Sequence, residues 1–103
     1  MSQTFLEMTY RKGRPLAAYL YLPRQPNDRS VRTVDGGSGL KADYAADGRL
    51  IGIEITSPTL VTAASLNAVL SAAQLPPLSE RDIAPLIATQ QTATATKTVT
   101  STF

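Results

Sequence analysis

The sequence predicts an α+β domain: an antiparallel sheet of four or five strands over residues 4–56, followed by two C-terminal helices packed on one face. Three observations carry that prediction. Runs of alternating apolar and polar residues recur through the first half of the chain, and Asp47-Gly48 interrupts two such runs. From Leu66 onward the apolar spacing changes from two residues to three and four.

At 103 residues one domain is expected, spanning 1–89 and followed by a tail, 90–103. A chain this size buries only roughly 60–65% of its unfolded surface. Its 43% of hydrophobic residues overstates the core, because alanine supplies much of that share and buries little area. The shortage makes self-association an expectation. With no cysteine and no histidine, disulfides, thiol nucleophiles and histidine acid-base chemistry are excluded, as are the common zinc sites. A net charge of +2 decides nothing about partners unless the basic residues gather on one face. Met1 to Met8 carries Ser2, Gln3, Thr4 and Glu7 where a secretory leader would be apolar, and no run is long enough to span a membrane. The expectation is a cytoplasmic protein.

Thr4 to Tyr10 alternates Leu6, Met8 and Tyr10 against Phe5, Glu7 and Thr9, the pattern of a half-buried strand. Arg11 to Pro15 is the turn, in which Lys12-Gly13 can take positive φ. Pro15 cannot donate to a ladder, so the next strand is expected from Leu16. Leu16 to Leu22 is apolar or aromatic on both sides and reads as an interior strand. A polar loop bounded by Pro23 and Pro26 follows. Ser30 to Val34 suits a short edge strand. Asp35-Gly36-Gly37-Ser38-Gly39 has the glycines of a phosphate loop but neither a following helix nor a Lys-Ser/Thr ending, and it reads as a turn between strands.

Leu40 to Ile55 is a hairpin written in the sequence. Asp47-Gly48 supplies the tight reversal. Leu40, Ala42 and Tyr44 share one face of the first strand, and Ile51, Ile53 and Ile55 share one face of the second. An even-numbered loop joins the two apolar sets. A two-residue loop pairs Tyr44 with Ile51, Ala42 with Ile53 and Lys41 with Glu54. A four-residue loop would lose that charge pair, worth a few tenths to about 1 kcal/mol. Ser57-Pro58 ends the sheet. Thr62 caps a helix over Ala63 to Gln74, with Leu66, Val69, Leu70 and Ala73 on the isoleucine face. Pro76-Pro77 stops it. Ser79 to Asp82 resembles the cap of a shorter second helix with Ile83, Leu86 and Ile87 inward, kinked or broken at Pro85. Gln90 to Phe103 has no period and reads as disordered, with Phe103 as a terminal hook.

The stretch Asp43-Tyr44-Ala45-Ala46-Asp47-Gly48-Arg49-Leu50-Ile51-Gly52-Ile53-Glu54-Ile55 resembles the signature of a family of short bacterial domains of unknown function, numbered 2283. Tyr10 and the run Tyr19 to Leu22 look like the ends of that family's upstream turn and strand. The acidic positions between those ends are replaced by Arg11-Lys12-Gly13-Arg14-Pro15. The resemblance implies a fold and no activity.

Three groups are candidates for function. Asp43, Asp47 and Glu54 are the acidic cluster; a cation such as calcium wants six or more oxygens, so a turn residue, a charge pair and a solvated carboxylate outweigh a metal site. Arg11, Lys12 and Arg14, with Arg24, Arg29 and Arg32, would suit a nucleic-acid backbone if folding set the two groups side by side. Tyr19 and Tyr21, with Phe5 if its strand is adjacent, fall on the sheet face that the helices cannot cover and form the expected dimer interface, the alternative being that the Arg24 to Gly39 loops or the threonine-rich tail fold over that face within one chain. No serine has a histidine to activate it, and no motif calls for a cofactor or metal. The expectation is a non-catalytic protein acting through self-association or a protein partner, with weak nucleic-acid binding as its competitor.

Overall fold

The structure, a computed structural model, describes residues 4–37, 39–79 and 81–86. The alternating residues form β1 (Phe5–Arg11), β2 (Arg14–Tyr21), β3 (Arg32–Gly37), β4 (Leu40–Tyr44) and β5 (Leu50–Ile55). The sheet has five strands in the order β1-β2-β5-β4-β3, every neighbouring pair antiparallel. The last strand in sequence therefore lies at the centre. Residues 22–31 carry the chain from β2 past β5 and β4 to the far edge.

Lys12 and Gly13 both take positive φ, 52° and 77°, and set Arg11 opposite Arg14. The expectation that Pro15 would delay β2 to Leu16 is corrected. Pro15 lies inside β2 opposite Tyr10, and the register shift beside it leaves Leu16 as the unpaired residue. The bulge absorbs the proline's missing donor and turns Leu16 outward, to 53% exposure.

The body of the central hairpin has the predicted register, with Leu40 opposite Ile55, Ala42 opposite Ile53 and Lys41 opposite Glu54. Among the described residues no ion pair joins Lys41 to Glu54. The loop differs from the prediction. The amide of Gly48 donates to the Ala45 carbonyl and that of Ala45 to Arg49, which leaves three residues, Ala46 to Gly48, in the turn with Gly48 at φ 90°. Three residues displace the strands by one, and a bulge in β5 takes up the difference. Tyr44 consequently pairs with Leu50, whereas a two-residue loop would have paired it with Ile51. β3 begins later than expected and takes in Gly36 and Gly37, and all six of its residues are exposed at the edge.

One face of the sheet carries Leu6, Met8, Ala18, Leu20, Leu40, Ala42, Ile53 and Ile55. Onto it packs α1 (Ala63–Ala72) through Leu66 and Leu70, with Val69 and Ala73 half-buried beside them. The helix starts where the sequence says. Thr62 Oγ1 accepts from the Ser65 amide, and Ser65 Oγ accepts from the Thr62 amide, a reciprocal cap. Val61 and Leu66, the two positions of a hydrophobic staple around that cap, are both buried. The helix ends two residues before Gln74, which turns left-handed at φ 61°. The amides of Gln74 and Leu75 then return to the carbonyls of Ser71 and Leu70.

The second helix is described over 84–86. Its cap forms, with Ser79 and Asp82 exchanging hydrogen bonds, and Ile83 and Leu86 enter the core. Pro85 falls in the first turn of this helix, where a missing amide leaves no ladder bond unmade. Ile87 and the predicted tail, 90–103, lie outside the described residues. No described helix is long and apolar enough to cross a membrane.

Candidate interaction face

Strand alternation sends Phe5, Glu7, Tyr19, Tyr21, Gly52, Glu54, Lys41, Asp43, Thr33 and Asp35 to the face opposite α1, and no described element covers it. Register sorts these residues into two rows across the sheet. One runs Phe5, Tyr21, Gly52, Asp43, Thr33 and the next runs Glu7, Tyr19, Glu54, Lys41, Asp35.

The first row is knit by its side chains. Phe5 and Tyr21 stack with centroids 4.5 Å apart, and Tyr19 lies 4.6 Å from Tyr21. Gly52 has no side chain, and any Cβ there would overlap the Tyr19 phenol. Tyr19 leans across that gap. Its hydroxyl donates to Asp43 Oδ2 at 2.7 Å, and the other carboxylate oxygen accepts from Thr33 Oγ1 at 2.6 Å. From the loop after β2, Arg24 returns over the tyrosines, 5.8 Å and 5.4 Å from the Tyr19 and Tyr21 centroids. Its guanidinium donates to the Tyr19 hydroxyl at 3.0 Å and to the Ile51 carbonyl at 3.2 Å. Burial first, and then the bond to the Asp43 carboxylate, push the Tyr19 phenol above its usual range, while Arg24 pulls the other way. The chain from Arg24 through Tyr19 to Asp43 and Thr33 ties the face together, and each of its bonds has the charged guanidinium or carboxylate on one side.

These two rows are acidic as well as aromatic. Glu7, Asp35, Asp43 and Glu54 outnumber Lys41 and Arg24 in a chain whose total charge is +2.

The interface residues predicted from sequence, Phe5, Tyr19 and Tyr21, are brought into contact. The acidic candidates are spread: Asp43 and Glu54 lie in different rows, and Asp47 belongs to the turn. There the Arg49 guanidinium bridges Asp47 at 2.6 Å and Asp28 at 2.7 Å and holds both carboxyls below their usual range. Among the described residues no group of three metal-ligating side chains converges. The basic candidates are divided. Arg11, Lys12 and Arg14 cap one end of β2, and Arg24 leaves the other, roughly 25 Å away along eight residues. Arg32 lies 4.6 Å over the Tyr44 ring. The side-by-side basic surface therefore does not form.

Arg24, Thr33 and Gly52 were missed as members of this face. Gly52 carried a signal, since a glycine inside an apolar strand marks a close approach. A cleft of about 450 Å³ opens between the hairpin turn and the end of α1, lined by Leu22, Tyr44, Leu50 and Leu75, with Asp47 and Arg49 occupied by each other.

In comparisons with protein-family models, curated proteins and solved structures, nothing matches this chain.

Proposed function

We propose that the protein is a small non-catalytic module acting through self-association or a protein partner across the uncovered sheet face. One observation carries the reading. Phe5, Tyr21 and Tyr19 make a contiguous aromatic surface held in place by Arg24 and Asp43, and Phe5 still exposes 51% of its area. Rigid aromatics with a polar rim suit an interface of mixed polarity, because little side-chain freedom is lost on contact. Kinship with the family that the hairpin resembles belongs to the same proposal. It rests on Asp43 to Ile55, where the positive φ at Gly48 and the bare backbone at Gly52 give structural reasons for the glycines.

Light scattering over a range of concentrations tests the reading. A mass above 11.0 kDa that falls on Tyr21→Glu is expected. A mass near 11.0 kDa at all concentrations would remove self-association. The competing nucleic-acid reading draws only on the three cations of the β1–β2 tip. Binding to oligonucleotides at low salt, lost on neutralising Arg11, Lys12 and Arg14, would promote it.

A further inference from the structure

Along β1 and β2 the uncovered face changes character in three steps. Glu7 opposite Tyr19 makes an acidic step, continued on β5 by Glu54. Thr9 opposite Ala17 makes a small, uncharged one, and Arg11 opposite Arg14, beside Lys12, makes a basic one. On β1 the steps are two residues apart, about 7 Å. All of these charged residues are exposed, and among the described residues no ion pair engages any of them.

A sequence of acid, neutral and base is complementary to itself when reversed. A two-fold axis lying across the strands at the neutral step brings each acidic step onto the basic step of the other copy. An axis at either outer step would instead set Glu7 against Glu7 or Arg11 against Arg11. We propose that this face binds a second copy of the chain about a two-fold axis through the Thr9 and Ala17 pair, each Arg11-Lys12-Gly13-Arg14 tip lying on Glu7 and Glu54 of the other copy.

The proposal rests on the reading of the uncovered face as an interaction surface and supplies its partner and register. Small residues at the axis let the sheets approach. The same surface patch serves both copies, so the assembly closes at two.

Two double variants test this. Arg11→Glu with Arg14→Glu reverses the tip, and Glu7→Lys with Glu54→Lys reverses the face. None of the four residues lies in the core, and circular dichroism checks that each variant folds. By analytical ultracentrifugation, each variant alone is expected to raise the dimer dissociation constant about tenfold or more, since several exposed charge pairs turn repulsive together. An equimolar mixture is expected to recover the wild-type constant, because both contacts of the mixed dimer are again complementary. The wild-type dimer is expected to weaken as salt rises to about 1 M, where the screening length falls to about 3 Å. A wild-type dimer whose constant is unchanged in both variants would overturn this register while leaving self-association intact. A wild type that stays monomeric would overturn both.

Discussion

The Tyr19 phenol occupies the space that a side chain at Gly52 would fill, so the bare backbone of the central strand is what lets its hydroxyl reach Asp43. An aromatic ring on one strand and a glycine on its neighbour act as a single structural unit.

Gly52→Ala is expected to destabilise the protein by about 1–3 kcal/mol, the usual cost of overpacking, by pushing the phenol off Asp43. In a Tyr19→Ala background the same change should cost much less. A denaturant-melt cycle over the four proteins measures the coupling. Equal costs in both backgrounds would show that the ring is not what the methyl meets.

Tyr19 should be a late-titrating phenol. Its raised value favours the protonated form in the folded state, so its contribution to stability is complete below an unfolded tyrosine's value, about 10, and is lost as pH rises through the higher folded value. Phenolate absorbance against pH reads this directly. Asp43→Asn should bring the transition down, and Tyr19→Phe should delete it.

Arg49 links the turn at Asp47 to the crossover loop at Asp28, and its bonds lower both carboxyls. Groups lowered on folding stabilise above the unfolded carboxylate range, about pH 4, and lose that contribution as pH falls through their folded values. Arg49→Gln should therefore destabilise at neutral pH and flatten the acid side of the stability profile. Melting curves from about pH 2 to 7 would show a wild-type profile no steeper than the variant's if the bridge contributes nothing.

Gly48 and Gln74 both adopt positive φ, and the expected effects of substitution are opposite. Gly48→Val should cost more than about 1 kcal/mol, although nothing lies within 4 Å of the added Cβ, because the backbone alone resists. Gln74→Gly should add up to about 1 kcal/mol by relieving the left-handed helix end. Thermal melts of the two variants should shift in opposite directions. A stabilised Gly48→Val would remove the turn assignment.

Much of the sheet was legible because its signals are local: alternation, Lys12-Gly13, Asp47-Gly48 and the Thr62 cap each specify a few neighbouring residues. The bulges were not, because a slip of one residue at Leu16 or Ile51 is decided by which partners meet across the sheet. The face was half legible. Parity alone places Phe5, Tyr19 and Tyr21 together, but Arg24 reaches them only by folding back from a loop, and Asp43 meets Tyr19 only because β5 comes between β2 and β4.

That central position of the last strand has a consequence for the order of events as the chain is synthesised. The β1–β2 pair and the β3–β4 pair emerge first, and neither has its inner neighbour until β5 follows. Ala18 must wait for Ile55, a long-range closure that local hairpins cannot shortcut. Both β2 and β4 run antiparallel to β5 and hence parallel to each other, and a chain halted before Leu50 offers these two strands only a weaker, parallel pairing. Until the keystone strand arrives, the nascent chain presents open edges to other copies of itself, and protection from aggregation at that stage has to come from the ribosome, a chaperone or speed.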